Sequence, residues 1–303
     1  MSKGGRFPWL VAAAFACMCL IWSSTWTMIA VGLRGAPPLT GVSVRFLLAA
    51  VLTACILLVR RARLPEGRRF WLLGMSLGLL QVAAPYVLVY WAEERISSGL
   101  TAVLYSTMPL AVAVLARFLL GDRLTLTKIG GICVGIGGVA LIFSDRLAVG
   151  SNLGIGCVLG SVFFASLSSV LTKKYAGAYD PQALLFVSFL VGGTLALAVA
   201  APIERSNPFR YDALTWVSIL YLSAFGSVAA FSLFLWVLRR VEVTLVSYQT
   251  LVIPILAVLL GWLFLDETIS RRTGLGAALI LGGIVVATYH ASRSTSRRPN
   301  MRP

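Results

Sequence analysis

The chain has 303 residues, 58% of them hydrophobic and only 12% charged, with a mean hydropathy of +0.89. An average soluble domain is about 45–50% apolar and about 25% charged, so these figures exclude an ordinary soluble enzyme and a disordered chain. An integral membrane protein is left, and the formal net charge of +15 takes its meaning from where the charges fall.

A membrane helix needs about 20 mostly apolar residues. Ten apolar stretches follow one another: Trp9–Ile29, Thr40–Val59, Phe70–Trp91, Ser98–Leu119, Lys128–Phe143, Leu153–Leu171, Ala183–Ala201, Leu214–Leu238, Thr244–Leu265 and Thr273–His290. None shows the period-two alternation of a barrel strand, so the expected fold is an all-α bundle of ten transmembrane helices. Lys3 and Arg6 before the first stretch resemble the start of a signal peptide. The run is longer than a typical signal core and ends in no small-residue cleavage site, so it reads as the first membrane helix.

Placing the N-terminus in the cytoplasm puts eighteen Lys and Arg on the cytoplasmic side and seven on the other, with Arg45 inside a span. Cytoplasmic loops carry the excess of Lys and Arg, so both termini are expected in the cytoplasm of a cell with this chain in its inner membrane. Residues 293–303 then form a basic cytoplasmic tail. The positive charge is an orientation signal with a secondary pull toward anionic lipid, and no nucleic-acid partner is expected. Cys17, Cys19, Cys55, Cys133 and Cys157 all fall in apolar spans with no C-x-x-C. They read as packing thiols, and no metal or other cofactor is expected.

The chain repeats itself. At an offset of 145, Trp71 matches Trp216, Trp91 matches Trp236, Leu100 matches Leu245 and Pro109 matches Pro254. Asp122 then matches Glu267, Gly131 matches Gly276, and Gly137-Gly138 match Gly282-Gly283; near an offset of 143, Pro38 pairs with Pro181 and Phe46 with Phe189. The units are residues 1–148 and 149–292, five helices each. Five is odd, so the second unit enters the membrane from the opposite side, an inverted duplication of the kind many secondary transporters use.

Trp22-Ser23-Ser24-Thr25-Trp26 in the first span, Pro38-Leu39 with Arg45-Phe46 in the second, Pro109 and Pro254 in the fourth and ninth, Gly121-Asp122 and Asp266-Glu267 after them, and glycine-rich fifth and tenth spans occur in that order. In this the chain resembles the EamA-type ten-helix members of the drug/metabolite transporter superfamily over about residues 9–290. Ser23, Asp122 and Asp266 stand where that pattern has Gly, Glu and Gly. The resemblance implies two five-helix repeats and transport of small metabolites, with export the expected direction.

Candidate residues follow from the cost of polarity inside a membrane. Pro109 and Pro254 each remove a backbone hydrogen bond within a span, which reads as a structural kink or as a bend widening a central cavity. Trp26, Tyr86 and Tyr105 are aromatic residues deep in their spans, whereas Trp91 and Trp236 read as interfacial belt residues. Gln81 lies mid-span, and Ser247, Gln249 and Thr250 form a polar patch one turn before Pro254; such groups either join helices or bind a polar solute. Ser166, Ser168 and Ser169 in the sixth span invite the same two readings, and Ser168 is the one assigned to the site. Arg45 reads as snorkelling, as capping carbonyls or as meeting an anion, and the resemblance places it outside the usual cavity-lining set. Gly131-x3-Gly135 and Gly156-x3-Gly160 read as close-packing patterns.

No Asp or Glu lies in the middle of a span, so proton antiport through a mid-membrane Glu is not expected. With no H-E-x-x-H, no G-x-S-x-G and a single His, an intramembrane enzyme has no evident machinery. The expectation is a secondary exporter of small polar metabolites such as amino acids, with a substrate site at Trp26, Gln81, Tyr86, Tyr105, Ser168, Ser247, Gln249 and Thr250. An uptake permease, a nucleotide-sugar-type carrier and a non-transporting sensor are the alternatives. Its partners are a small-molecule substrate and the bilayer, and self-association stays open.

Overall fold

The structure, a computed structural model, describes residues 7–121, 126–145, 149–206, 212–238, 240, 249–266 and 270–295. These residues are almost wholly helical and include no strand. The first two spans are α1 (Phe7–Gly32) and α2 (Pro38–Val59). The third is built from α3 (Arg68–Leu77), a π-helical segment Gly78–Ala83 and α4 (Ala84–Glu93). The fourth is broken into α5 (Ser98–Tyr105) and α6 (Met108–Leu119). Then come α7 (Leu126–Asp145), α8 (Val149–Tyr175) and α9 (Pro181–Ile203). The eighth consists of α10 (Ala213–Tyr221), a second π-helical segment Leu222–Ala229 and α11 (Ala230–Leu238), followed by α12 (Gln249–Leu265) and α13 (Arg271–Thr295).

Among the described residues, seven helical stretches are long and apolar enough to cross a membrane, and Ile129–Gly138, Ile255–Leu265 and Gly274–Gly283 are shorter apolar helices. The three shorter pieces fall in the fifth, ninth and tenth apolar stretches. Large apolar side chains such as Leu58, Phe118 and Trp262 are exposed, which suits a hydrocarbon surround.

Helix starts are set by short polar residues and proline. Asp180 accepts from the backbone N–H of Gln182 (2.8 Å) and Ala183 (3.1 Å) and precedes Pro181 at the first position of α9. This is a helix start in which proline sacrifices an N–H that had no partner in any case. Asp212 caps α10 through the N–H of Thr215 (2.8 Å). Pro37 precedes α2 and has no side-chain oxygen to offer. Its place is taken from across the protein: the Glu204 carboxylate, at the end of α9, accepts from Leu39 N (2.8 Å), Thr40 N (2.7 Å) and Thr40 Oγ1 (2.7 Å). At the far end of the same helix pair, Arg60 meets Asp180 at 3.4 Å on the surface.

The two helix ends after α6 and α12 turn alike. Gly121 has φ +74° and Asp266 φ +53°. The left-handed turn that glycine makes freely is thus made by an aspartate at the position 145 residues on, a residue type that tolerates it better than most.

Small residues let backbones touch. A Cβ on Gly138 would lie 2.6 Å from Gly276 O, and one on Gly283 would lie 2.5 Å from Gly131 O. Since Gly131 and Gly138 stand 145 residues before Gly276 and Gly283, the α7–α13 contact is reciprocal. α2 packs on α9, where the rings of Phe46 and Phe189 lie 5.6 Å apart, and α4 and α6 pack on α8 while α1 and α5 pack on α12. The main helix contacts therefore join residues before 148 to residues after it, and the two sequence halves interleave instead of forming separate bodies.

Candidate functional site

Six spans enclose a cavity of about 200 Å³. α1 supplies Trp22, Thr25, Trp26 and Ile29 to its wall; the third span supplies Gln81, Pro85, Tyr86 and Val89; α5 and α6 supply Ala102, Tyr105 and Met108, with Ser106 between them. α8 supplies Ala165 and Ser169, α11 Phe231 and Phe234, and α12 Gln249 and Ile253. No acidic or basic side chain is among them.

Local backbone irregularities aim several of these residues. Pro85 has no N–H and its ring crowds the carbonyl four residues back, at Gln81. The π-helical turn over Gly78–Ala83 widens the backbone there. In the fourth span the helix stops at Tyr105 and restarts at Met108, with Pro109 in the first turn of α6. The hydroxyls of Ser106 and Thr107 fold back onto the carbonyls of Val103 (2.6 Å) and Leu104 (2.7 Å), so polar groups at the break are partly satisfied within the chain. Pro254 lies inside α12, which is assigned as continuous helix through it. The two prolines thus occupy matched sequence positions with different backbones.

Aromatic rings form most of the wall. Trp26 and Tyr105 lie 5.3 Å apart across the α1–α5 contact, and Trp22 sits 5.6 Å from both Phe231 and Phe234. Among the described residues, two buried polar atoms in this wall have no hydrogen-bond partner, the Trp26 indole N–H and Gln249 Oε1. Gln81 Oε1 accepts a long 3.4 Å bond from Ser168.

Of the residues expected in a site, Trp26, Gln81, Tyr86, Tyr105 and Gln249 are gathered on this one wall. Ser168 lies behind it, nearly fully buried and turned to Gln81, while its neighbour Ser169 reaches the cavity. Ser247 and the side chain of Thr250 lie outside the described residues. Phe231 and Phe234 were not foreseen, although their three-residue spacing puts them on one helix face. Trp91 and Trp236 do not line the cavity. Each accepts at its carbonyl from an arginine four residues on, Arg95 and Arg240, and Arg240 lies 3.8 Å over the Trp236 ring.

Arg45 does not snorkel. It is 1% exposed. Its Nε donates to Ser227 Oγ (3.2 Å), and its guanidinium lies 4.9 Å from the Phe46 ring centre and 4.7 Å from that of Tyr86.

The sequence profile of the EamA-like transporter family matches the chain over residues 9–144 and again over 152–289. An uncharacterised inner membrane transporter of Escherichia coli K12, YedA, is 30% identical over 92% of this chain and 90% of its own length. An uncharacterised transporter of Bacillus subtilis, YoaV, is 28% identical over 90% of this chain and 95% of its own. A solved crystal structure superposes with a TM-score of 0.68 at 20% identity, covering 93% of this chain and 98% of that one, a likeness of fold.

Proposed function

Since the chain belongs to the EamA-like transporter family and is a multi-pass membrane transporter, we propose that it exports small polar metabolites, amino acids or related compounds, through the cavity between α1, α4, α5, α8, α11 and α12. The observation that carries this reading is the pair of unpartnered polar atoms, Trp26 Nε1 and Gln249 Oε1, in an otherwise aromatic wall. A buried polar group without a partner costs about 1–3 kcal/mol, and a solute with one acceptor and one donor removes both costs on entering. Trp26, Gln81, Tyr86, Tyr105 and Gln249 contact that solute in this reading, with Ser168 setting the pose of Gln81 and with Ser247 and Thr250 extending the polar patch of Gln249.

The mechanism is alternating access by two inverted repeats, residues 1–148 and 149–292. Three features support the duplication: the two profile matches, the reciprocal glycine contacts of α7 and α13, and π-helical turns over 78–83 and 222–229, whose starts and ends lie within one residue of the 145-residue offset. Because the halves interleave, the moving bodies draw helices from both repeats. Both termini lie in the cytoplasm of an inner membrane, supported by the Lys and Arg bias between alternate loops. No catalytic role and no nucleic-acid partner enter this reading.

The test compares metabolites inside and outside cells with and without overproduction of the chain. Export enriches one solute outside and depletes it inside, and that solute is then followed in proteoliposomes. Gln249→Leu and Tyr105→Leu are expected to cut its flux at least tenfold in folded protein. Full flux in both variants would remove this cavity from the route, and enrichment inside the cells would reverse the direction.

A further inference from the structure

Beside the cavity lies a buried arginine that makes no ion pair among the described residues. Arg45 sits in α2 with only 1% of its surface exposed. A guanidinium carries five N–H donors; of these, Nε–H reaches Ser227 Oγ at 3.2 Å, and Nη1 is buried with no hydrogen-bond partner among the described residues. Among the described residues no carboxylate forms an ion pair with it. Buried charges ordinarily persist only when paired and hydrogen-bonded, because leaving water is costly and the low dielectric offers little in return.

The surroundings are shaped to hold the guanidinium at that spot. Gly226 leaves room: a Cβ there would lie 3.4 Å from Nη2. Ser227, the next residue of the π-helical turn, donates to Leu222 O (3.0 Å) and accepts from Nε. Ser223 of the same turn donates to the carbonyl of Arg45 (2.9 Å). The ring of Phe46 flanks the cation on one side, and the ring of Tyr86, 4.7 Å from Cζ, stands between it and the cavity. One aromatic side chain thus separates a permanent charge from a cavity whose wall, among the described residues, carries no carboxylate. In a low-dielectric setting such a charge acts over this distance with little screening.

We propose that Arg45 makes this cavity selective for solutes bearing a carboxylate, with the anionic head held at the Tyr86 end and the apolar body among the aromatic rings. This rests on the cavity being the transport site and adds its charge preference. The solute's carboxylate offers the buried guanidinium an opposite charge, and a positively charged solute of the same shape is repelled. Arg45 is a specificity-determining residue in this scheme, acting on the solute across Tyr86.

The experiment uses the purified full chain and three probes of one shape: 3-phenylpropanoate, 3-phenylpropanamide and 3-phenylpropylamine. Binding is read by tryptophan fluorescence, Trp22 and Trp26 being on the wall, and flux in proteoliposomes. The anion is expected to bind at least tenfold tighter than the amide, and the amine most weakly. In Arg45→Gln the advantage of the anion falls to within twofold while the Kd of the amide stays put; Arg45→Lys keeps most of the advantage. If Arg45→Gln does not fold, the wild-type ratio and Arg45→Lys decide. Anion and amide binding within twofold of each other in the wild type, no binding of any probe, or an anion preference that survives in folded Arg45→Gln would each overturn the proposal. Metabolite flux without charge preference leaves the transporter reading standing, whereas charge-selective binding without flux of any solute keeps Arg45 in its role and removes transport.

Discussion

The third and eighth spans follow the same backbone course with different side chains. Each passes from α-helix into a π-helical turn and back, over Gly78–Ala83 in one and Leu222–Ala229 in the other. Each ends with an arginine bonded to a tryptophan carbonyl, Arg95 on Trp91 and Arg240 on Trp236. Proline explains the first turn, through Pro85, but the matching position in the eighth span is Ala230, so no missing N–H demands the second. What the two turns share is small residues facing a neighbouring helix. Gly74 and Gly78 lie against α9 at Val187, Ser188 and Val191, and Ser223, Gly226 and Ser227 lie against α2 at Arg45. Ser188 and Arg45 are the paired positions of the sequence repeat. One turn thus presents an amide, Gln81, to the cavity, and the other holds a cation beside it. The backbone device is common to the two spans, and the polar groups it carries differ.

That contrast is broken most severely at the glycines of α2's and α9's contacts. A Cβ on Gly192 would strike Val82 and come within 2.7 Å of the Gly78 carbonyl, which is backbone and cannot swing away. On the eighth-span side, a Cβ on Gly226 would meet the methyl of Thr25 at 2.8 Å and Nη2 of Arg45 at 3.4 Å, both side-chain and not backbone atoms. Overpacking costs about 1–3 kcal/mol, more where nothing yields. Gly192→Ala is expected at about 3 kcal/mol and Gly226→Ala below about 1 kcal/mol, read as melting temperatures of the purified protein in one detergent. Equal losses would mean that the two turns are packed with equal tightness and would undo the comparison.

The helices against which the turns pack also start differently. α9 is capped by its own Asp180, whereas α2 borrows Glu204 from the far end of α9. Glu204→Ala leaves two backbone N–H groups and the Thr40 hydroxyl without their acceptor in a nearly buried setting, a loss expected at about 2 kcal/mol. Asp180→Ala removes an ordinary cap at a half-exposed site, with an expected cost of about 1 kcal/mol. Thermal unfolding of both variants ranks them; a larger loss in Asp180→Ala would show that the borrowed cap carries little.

Much of the fold is legible in sequence because the bilayer forces length and apolarity on every span, and because Asp180-Pro181 and Asp212 mark helix starts by local chemistry. The proposed repeat is read from matched Trp and Pro residues, uncommon residues that chance seldom sets at one offset. The cap on α2 is not legible, since its donors stand 164 and 165 residues from the acceptor. The candidate cavity is half legible. Trp26, Gln81, Tyr86, Tyr105 and Gln249 stand out as polar or aromatic residues deep in spans, and the cavity takes all five. Periodicity cannot choose between Ser168 and Ser169, which differ by about 100° around a helix, and it does not foresee a π-helical turn that resets the face. Phe231 and Phe234 look like lipid-facing residues until Trp22 is seen against them. Pro109 and Pro254 look alike in sequence, yet one begins a helix and the other lies within one.

The smallest expected effect sets the starts of the two spans against each other. α3 begins at Gly67, whose position offers no side-chain cap, followed by Arg68 and Arg69. The residue 145 positions later is Asp212, which caps α10 by accepting from the N–H and the hydroxyl of Thr215. These bonds favour the ionised carboxylate, and they hold its pKa below the ordinary value. A carboxyl whose pKa is lowered on folding stabilises the protein at pH values above its unfolded pKa of about 3.9. That contribution is fully present at neutral pH and is lost as the pH falls through the folded value. Asp212 is exposed, so the effect is small. Asp212→Asn keeps an acceptor for the Thr215 N–H but has no charge to titrate. Its melting temperature should fall slightly below that of the wild type at pH 7, and the two should converge below about pH 4. Because Gly67 contributes no such term to the third span, the acid-sensitive part of this comparison belongs to the eighth span alone, and a gap between wild type and variant that persists unchanged into acid would show that Asp212 acts by shape and not by charge.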